Sequence, residues 1–366
     1  MAGHLISTHR LIVKEDKRFV LDSVTATKAP FIQVYTDSVG VRYLTLLNPY
    51  SNSIYFFNYN NSDYIGKINY AREGANAILS MAGYYILNMD SIYIYNRPPV
   101  EIVLADSSGH VKNRIALHTD EKGWAKYYPQ YIFNAVNPFI KKEDNLIFSG
   151  FAPFSIEDSL IKKFHITACI DLKNNQSDFI NSYPSALYGN NANWDDPLFM
   201  QAYSILSPNG ELINSFPPSH DLYITNLKSG NSKTVYGGSN VARTITSIDW
   251  DLSTGKTPDQ KIIEHYLNQD LYAGILYDPW RKMYYRFMQQ GLVNATTRTP
   301  LTSKPVVVII MDEQFNYLGE TLIGTGDNWN WKNSFVTEEG LNIEYLDTKD
   351  IDETFMNFKI FTIEKI

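Results

Sequence analysis

From residue 31 onward the chain repeats one cadence. An apolar strand and a tight turn lead to a second strand, then a third ending in Asp or Asn before another turn, then a short fourth. Residues 31–70 show it as FIQVYT, VRYLTLLN, SIYFFNY and DYIGKIN, parted by "DSVG", "NPYSN" and "NNS". Residues 83–117 repeat it as GYYILN, SIYIYN, VEIVLAD and HVKNRIAL, with joints at "MD", "RPP" and "SSG". Further units span about 133–184, where FNAVNPF reads as the first strand, then 201–238 and 271–323. The last unit, 333–366, offers only three strands. Unit starts lie roughly 50 to 70 residues apart, the range in which radial arrays arise. Four-stranded antiparallel sheets repeated about an axis are propeller blades. The pattern therefore predicts an all-β, six-bladed β-propeller forming a single domain over 1–366. A spare N-terminal strand at 18–24, RFVLDSV, completes the last blade, which closes the ring and removes an open edge. A pair of β-sandwiches is the structural alternative.

Composition agrees with strands and excludes several function classes. Aromatic residues make up 14% of the chain, including 26 Tyr, and suit a pleated, half-buried surface. A net charge of −7 with no long basic run argues against nucleic acid as a partner. Cys169 is the single cysteine, so no internal disulfide forms, and its strand-like context FHITACIDL marks it as a buried small hydrophobe. No apolar stretch approaches the ~20 residues of a membrane-spanning helix. The start, MAGHLISTHRLIV, lacks the apolar core and cleavage site of a signal peptide.

One segment departs from the cadence. Residues 257–269, TPDQKIIEHYLNQ, read as a helix with Thr257 as N-cap and Pro258 in the first turn. Ile262, Ile263, Tyr266 and Leu267 form its apolar stripe, within an insertion over 239–270.

With YDPWRKMYYRF, IYFFNYNNSDYIGKI and the C-terminal FMNFKIFTIEKI in view, the whole chain resembles DUF4221, a family of six-bladed propellers of unknown function from Bacteroidetes. That resemblance implies export, commonly as a lipoprotein with a signal peptide and an anchoring cysteine. The expected location is the periplasm or cell surface, with lipid anchoring in a longer precursor; the cytoplasm is the alternative.

Catalytic signatures are absent from the sequence: no His-Glu-x-x-His, no Gly-x-Ser-x-Gly, no phosphate-binding loop and no cysteine pair. No cofactor or metal is expected. Propellers bind ligands where inter-blade connections converge at one end of the channel, and here those connections concentrate Trp, Asn, Asp and Gly. The candidate ligand-binding residues are Arg72 and Glu73 in AREGANA, Tyr127 in HTDEKGWAKYYPQY, and Trp194 and Asp195 in YGNNANWDDPLF. Arg243 in the insertion and Trp329 and Trp331 in GTGDNWNWKN join them. Flat aromatic faces with short polar groups suit a glycan or a peptide. The competing reading is that these tryptophans pack between blades with their N–H groups satisfied locally.

Arg286 stands inside an aromatic strand, KMYYRFM. Alternation sets Tyr284, Arg286 and Met288 on one face and Met283, Tyr285 and Phe287 on the other. A buried guanidinium must be paired, stacked or held by carbonyls, or else reach the channel to clamp a carboxylate or phosphate. A non-enzymatic binding propeller is therefore the leading expectation. A scaffold docking an envelope protein is the second, and a polysaccharide hydrolase or lyase using acids such as Glu73, Asp120, Asp195, Asp196 or Asp327 the third.

Overall fold

A computed structural model describes residues 5–117, 129–153, 156–195, 197–347, 349–350 and 353–366. Among them the strands form six separate four-stranded antiparallel sheets, a six-bladed β-propeller. The first blade holds β2 (Ile32–Thr36), β3 (Arg42–Asn48), β4 (Ser53–Asn58) and β5 (Tyr64–Asn69). The second holds β6 (Met81–Asn88), β7 (Ser91–Asn96), β8 (Glu101–Ala105) and β9 (Val111–Ala116). The third is β10 (Ile140–Lys142), β11 (Asn145–Ser149), β12 (His165–Asp171) and β13 (Gln176–Ser182). The fourth is β14 (Tyr203–Leu206), β15 (Leu212–Ser215), β16 (Asp221–Thr225) and β17 (Ser232–Tyr236). The fifth is β18 (Leu271–Asp278), β19 (Met283–Gln289), β20 (Pro305–Asp312) and β21 (Tyr317–Thr325). The sixth joins β22 (Trp329–Thr337), β23 (Gly340–Tyr345) and β24 (Phe355–Lys365) to the N-terminal β1 (His9–Val20).

The Asp or Asn that closes each third strand has a local cause. Asn58, Asp106, Asp171, Asn226 and Asp312 each accept the backbone N–H two residues on, at 2.8 to 3.0 Å. Such side-chain turns end the strand and reverse the chain into the fourth. Five turns of one kind thus stand on one face of the ring, which we call the lower face. The sixth blade needs none, because its fourth strand arrives from the N-terminus.

That closing strand is longer than the hydrophobic signal at 18–24 suggested, and it starts earlier. β1 pairs with β24 from Val20 opposite Phe355 to His9 opposite Lys365, with a register shift after Val13. Its centre, Lys14 to Arg18, is charged because this strand lies outermost and turns much of its surface to water. The other outer strands, such as β5 and β17, are likewise mostly exposed. The middle strands carry the core, and blades interlock through their inner halves. Gln33 Oε1 accepts from Ile86 N at 3.0 Å, Tyr84 donates to Thr45 Oγ1 at 2.7 Å, and Ser215 donates to Ala273 O at 2.7 Å.

The segment FNAVNPF is not a strand. The third blade's inner strand is only β10, and residues 131–139 leave the sheet to fill the channel. A tight turn joins Asn134 and Asn137. Val136 is fully buried and packs in the cluster of Ala273, Phe287 and Trp331, while Ala135 packs with Phe335 and Phe358. Phe133 stacks on Phe139 at 4.1 Å. One short segment thereby touches blades on opposite sides of the ring and plugs its axis. Fully burying side chains of this size stabilises by about 1.5 to 3 kcal/mol each. Two glycines make room for it: a Cβ on Gly274 would lie 2.5 Å from Val136 Cβ, and one on Gly83 would lie 2.7 Å from Phe133 Cβ.

The insertion does hold a helix, Asp259–Asn268, with Tyr266 and Leu267 buried. Its N-cap is Pro258 and no side chain caps it. Thr257 is instead buried and accepts from Asn193 Nδ2 at 3.1 Å.

Candidate functional site

Each blade begins on the upper face, where the connection from the previous outer strand meets the loop between the second and third strands. At the centre of that face lies a cavity of about 480 Å³. Its floor is the upper part of the plug, Tyr131 to Asn134. Its rim combines Lys28, just ahead of β2, with Arg97, just after β7, and with Asn330, Lys332 and Asn333 of β22. The β22 residues reach it because the strand bulges. Asn330 opposes Glu344, but the next paired residue is Phe335 opposite Asn342, so residues 331–334 leave the ladder and lean towards the axis. The plug holds that bulge in place, since Val136 N donates to Lys332 O at 3.3 Å.

Lys28, Arg97 and Lys332 are solvent-accessible, and none forms an ion pair among the described residues. Lys332 opens to water through the mouth, yet protein surrounds it on most sides. This desolvation, with Lys28 nearby, pulls its ammonium below the ordinary lysine pKa. Behind the rim, Glu344 is 1% exposed. One of its oxygens accepts from Asn330 Nδ2 at 2.5 Å and from Asn333 Nδ2 at 2.8 Å, and the other has no partner. Burial pushes its carboxyl up to about 8, against the pull of those two amides and of Lys28, so at neutral pH it is mostly a neutral acid. Asn333 Nδ2 also donates to Ala29 O at 2.9 Å, while its own Oδ1 has no partner. Tyr131 likewise has a buried hydroxyl without a partner among the described residues. The mouth therefore presents positive charge at its rim and unfilled hydrogen-bonding groups in its wall.

The residues expected from the sequence take other places. Trp194 is buried, stacks on Phe199 at 5.5 Å and donates its N–H to Leu187 O at 3.0 Å, so its ring offers no open face. Asp195 follows a side-chain turn in which its N–H donates to Asn193 Oδ1 at 3.0 Å. Trp331 is buried between Tyr203 and Phe287, and Trp329 packs on Tyr345 and Phe361. Arg72 is exposed and binds Pro49 O at 2.5 Å; it forms no ion pair with Glu73. Arg243 grips Asp270 at 3.2 Å and Asn268 O at 3.0 Å, tying the insertion to the start of the fifth blade. Tyr127 and the acids Asp120 and Asp196 lie outside the described residues.

Arg286 is fully buried on the face that looks to the fourth blade, and Tyr284 and Met288 share its cluster while Tyr285 and Phe287 join another. It donates to Ser215 Oγ at 3.0 Å, Ser219 O at 2.8 Å, His220 O at 2.8 Å and Gly237 O at 3.0 Å. Its guanidinium sits 3.9 Å from the centre of the Tyr272 ring. Burial pulls its pKa down to about 10, which leaves it charged at neutral pH. Every direction is taken by neighbouring blades, and this arginine is a rivet between them.

None of the expected residues that are described lines the mouth, though Trp331 sits between two that do. The signal for Lys332 and Asn333 lay inside GTGDNWNWKN, hidden beside its tryptophans. Arg97 stood in the "RPP" joint, read only as a turn, and Lys28 in the lead-in to the first blade.

Residues 10–322 match the profile of DUF4221, described as a domain of unknown function. The fold is shared with a solved DUF4221 member from Bacteroides vulgatus at 18% identity and a TM-score of 0.81, over 98% of this chain and 99% of that one. A Bacteroides fragilis protein inferred to be exported aligns at 10% identity and a TM-score of 0.60, over 97% and 96%. No curated protein matches the sequence.

Proposed function

The chain belongs to the DUF4221 family, and from that premise we propose that it is a non-enzymatic binding propeller recognising an anionic glycan or peptide at the upper mouth of its channel. The supporting observation is the set Lys28, Arg97 and Lys332, three cations without ion pairs among the described residues around one closed-bottomed cavity. Like charges brought together on a rim repel one another, and an arriving anion removes that repulsion. We place the protein in the periplasm or on the cell surface, lipid-anchored in its precursor. The Bacteroides fragilis protein of the same fold, inferred to be exported, supports that location.

Calorimetric titration tests the proposal, using digalacturonate, an acidic peptide and their neutral counterparts at two salt concentrations. The anions should bind and the neutral compounds should not, with affinity falling as salt rises. Arg97→Met and Lys332→Met should each weaken binding about 10- to 100-fold, the range for a lost charge-assisted hydrogen bond. Anion binding that survives the double variant would overturn the proposal.

A further inference from the structure

We infer that the mouth takes the terminal residue of a carboxylated glycan, held end-on as a single acidic sugar ring. This rests on the anion-binding reading above and narrows it to one class of ligand. The plug is the first reason. Tyr131 to Asn134 floor the cavity and Val136 is wedged against Gly274 beneath, so no chain can thread the axis. A dead-end cavity of about 480 Å³ admits the end of a polymer, not its middle.

The second reason is the chemistry of the wall. Lys28, Arg97 and Lys332 suit a carboxylate, and the planar fork of Arg97 suits one best. A carboxylate alone brings no hydrogen-bond donor, yet Asn333 Oδ1 and the Tyr131 hydroxyl oxygen, both on residues that line the cavity, can accept and have no partner among the described residues. Such groups cost stability until something donates to them. Sugar hydroxyls donate in several directions around a ring, whereas the last residue of a peptide brings one backbone N–H. Met81 and Phe133 add apolar surface on which the C–H face of a ring can rest. Charge, empty acceptors and an apolar seat together describe a hydroxyl-rich acid.

Titration of the intact protein with galacturonic acid, its di- and trimer, its methyl ester and an acidic peptide tests this. The three acids should bind within about threefold of one another, because only the terminal ring is held. The neutral ester should bind at least tenfold more weakly, and Arg97→Met should bring the acid down to the ester's level. Circular dichroism checks that this exposed-residue variant stays folded. Affinity that climbs severalfold with each added sugar would overturn end-on binding and indicate a groove. Peptide binding without uronate binding would overturn the sugar class while leaving the anion-binding mouth standing. Failure of every anion would overturn both.

Discussion

Two buried ionisable side chains show how differently a core can accommodate charge. Arg286 keeps its charge because carbonyls, a hydroxyl and an aromatic face surround it. Replacing it by Met strands those acceptors, and a buried acceptor left without its partner costs about 1 to 3 kcal/mol. Urea unfolding should show that loss, with Arg286→Lys recovering part of it; a loss under about 1 kcal/mol would contradict the rivet. Glu344 follows the opposite course and holds its proton, with a folded-state pKa of about 8 against an ordinary value of 4.5. A raised pKa means the folded protein binds a proton that the unfolded chain has released. Its contribution to stability is therefore whole below about 4.5 and is lost as pH rises to about 8. Glu344→Gln keeps an acceptor and removes the titration. The melting temperature of the variant should gain on the parent steadily from pH 5 to pH 8, and parallel curves would show that Glu344 ionises freely.

At the scale of elements, strands were legible wherever one face meets a sheet core, as in KMYYRFM, whose two faces enter two different clusters. The side-chain turns were legible too, because Asp and Asn repeat where the third strands end. The plug was not. FNAVNPF carries a strand's apolar content, but its burial comes from all sides of a channel, and residue pattern does not distinguish that from a sheet face. β1 was only half visible, since an outermost strand carries charges that hide its period. The plug makes its own prediction. Gly274→Ala places a methyl against Val136 and should cost about 1 to 3 kcal/mol by overpacking. Val136→Gly in the same chain should restore part of that, giving a coupling above about 0.5 kcal/mol in a double-mutant cycle. Simple additivity would mean that the plug and the fifth blade do not touch.

The whole molecule is a ring held shut by its own first strand, and the mouth exists only because the ring is shut. Lys28, Arg97 and Lys332 come from the first, second and sixth blades and are far apart in sequence. Lys28 and Arg97 are ordinary cations in connections and Lys332 stands in a strand, so nothing local marks any of them. Closure by β1 and the bulge in β22 bring them to one rim, and both are properties of the assembled ring. Deleting residues 5–20 would bare the long edge of β24. Light scattering should then show self-association, together with a lower melting temperature; a monomer as stable as the parent would mean that β1 does not close the ring.

The register of that strand also fixes how the molecule would stand on a support. β1 rises from His9, beside Lys365, to Val20 and then leads into the segment that carries Lys28. Twelve residues of strand span about 40 Å. The start of β1 and the end of β24 therefore lie together on the lower face, where Ile366 N donates to Thr8 O at 2.8 Å. A bead tethered through Ile366 would seat the ring like a cup on its base. The opening would face outward, about one strand length from whatever holds it.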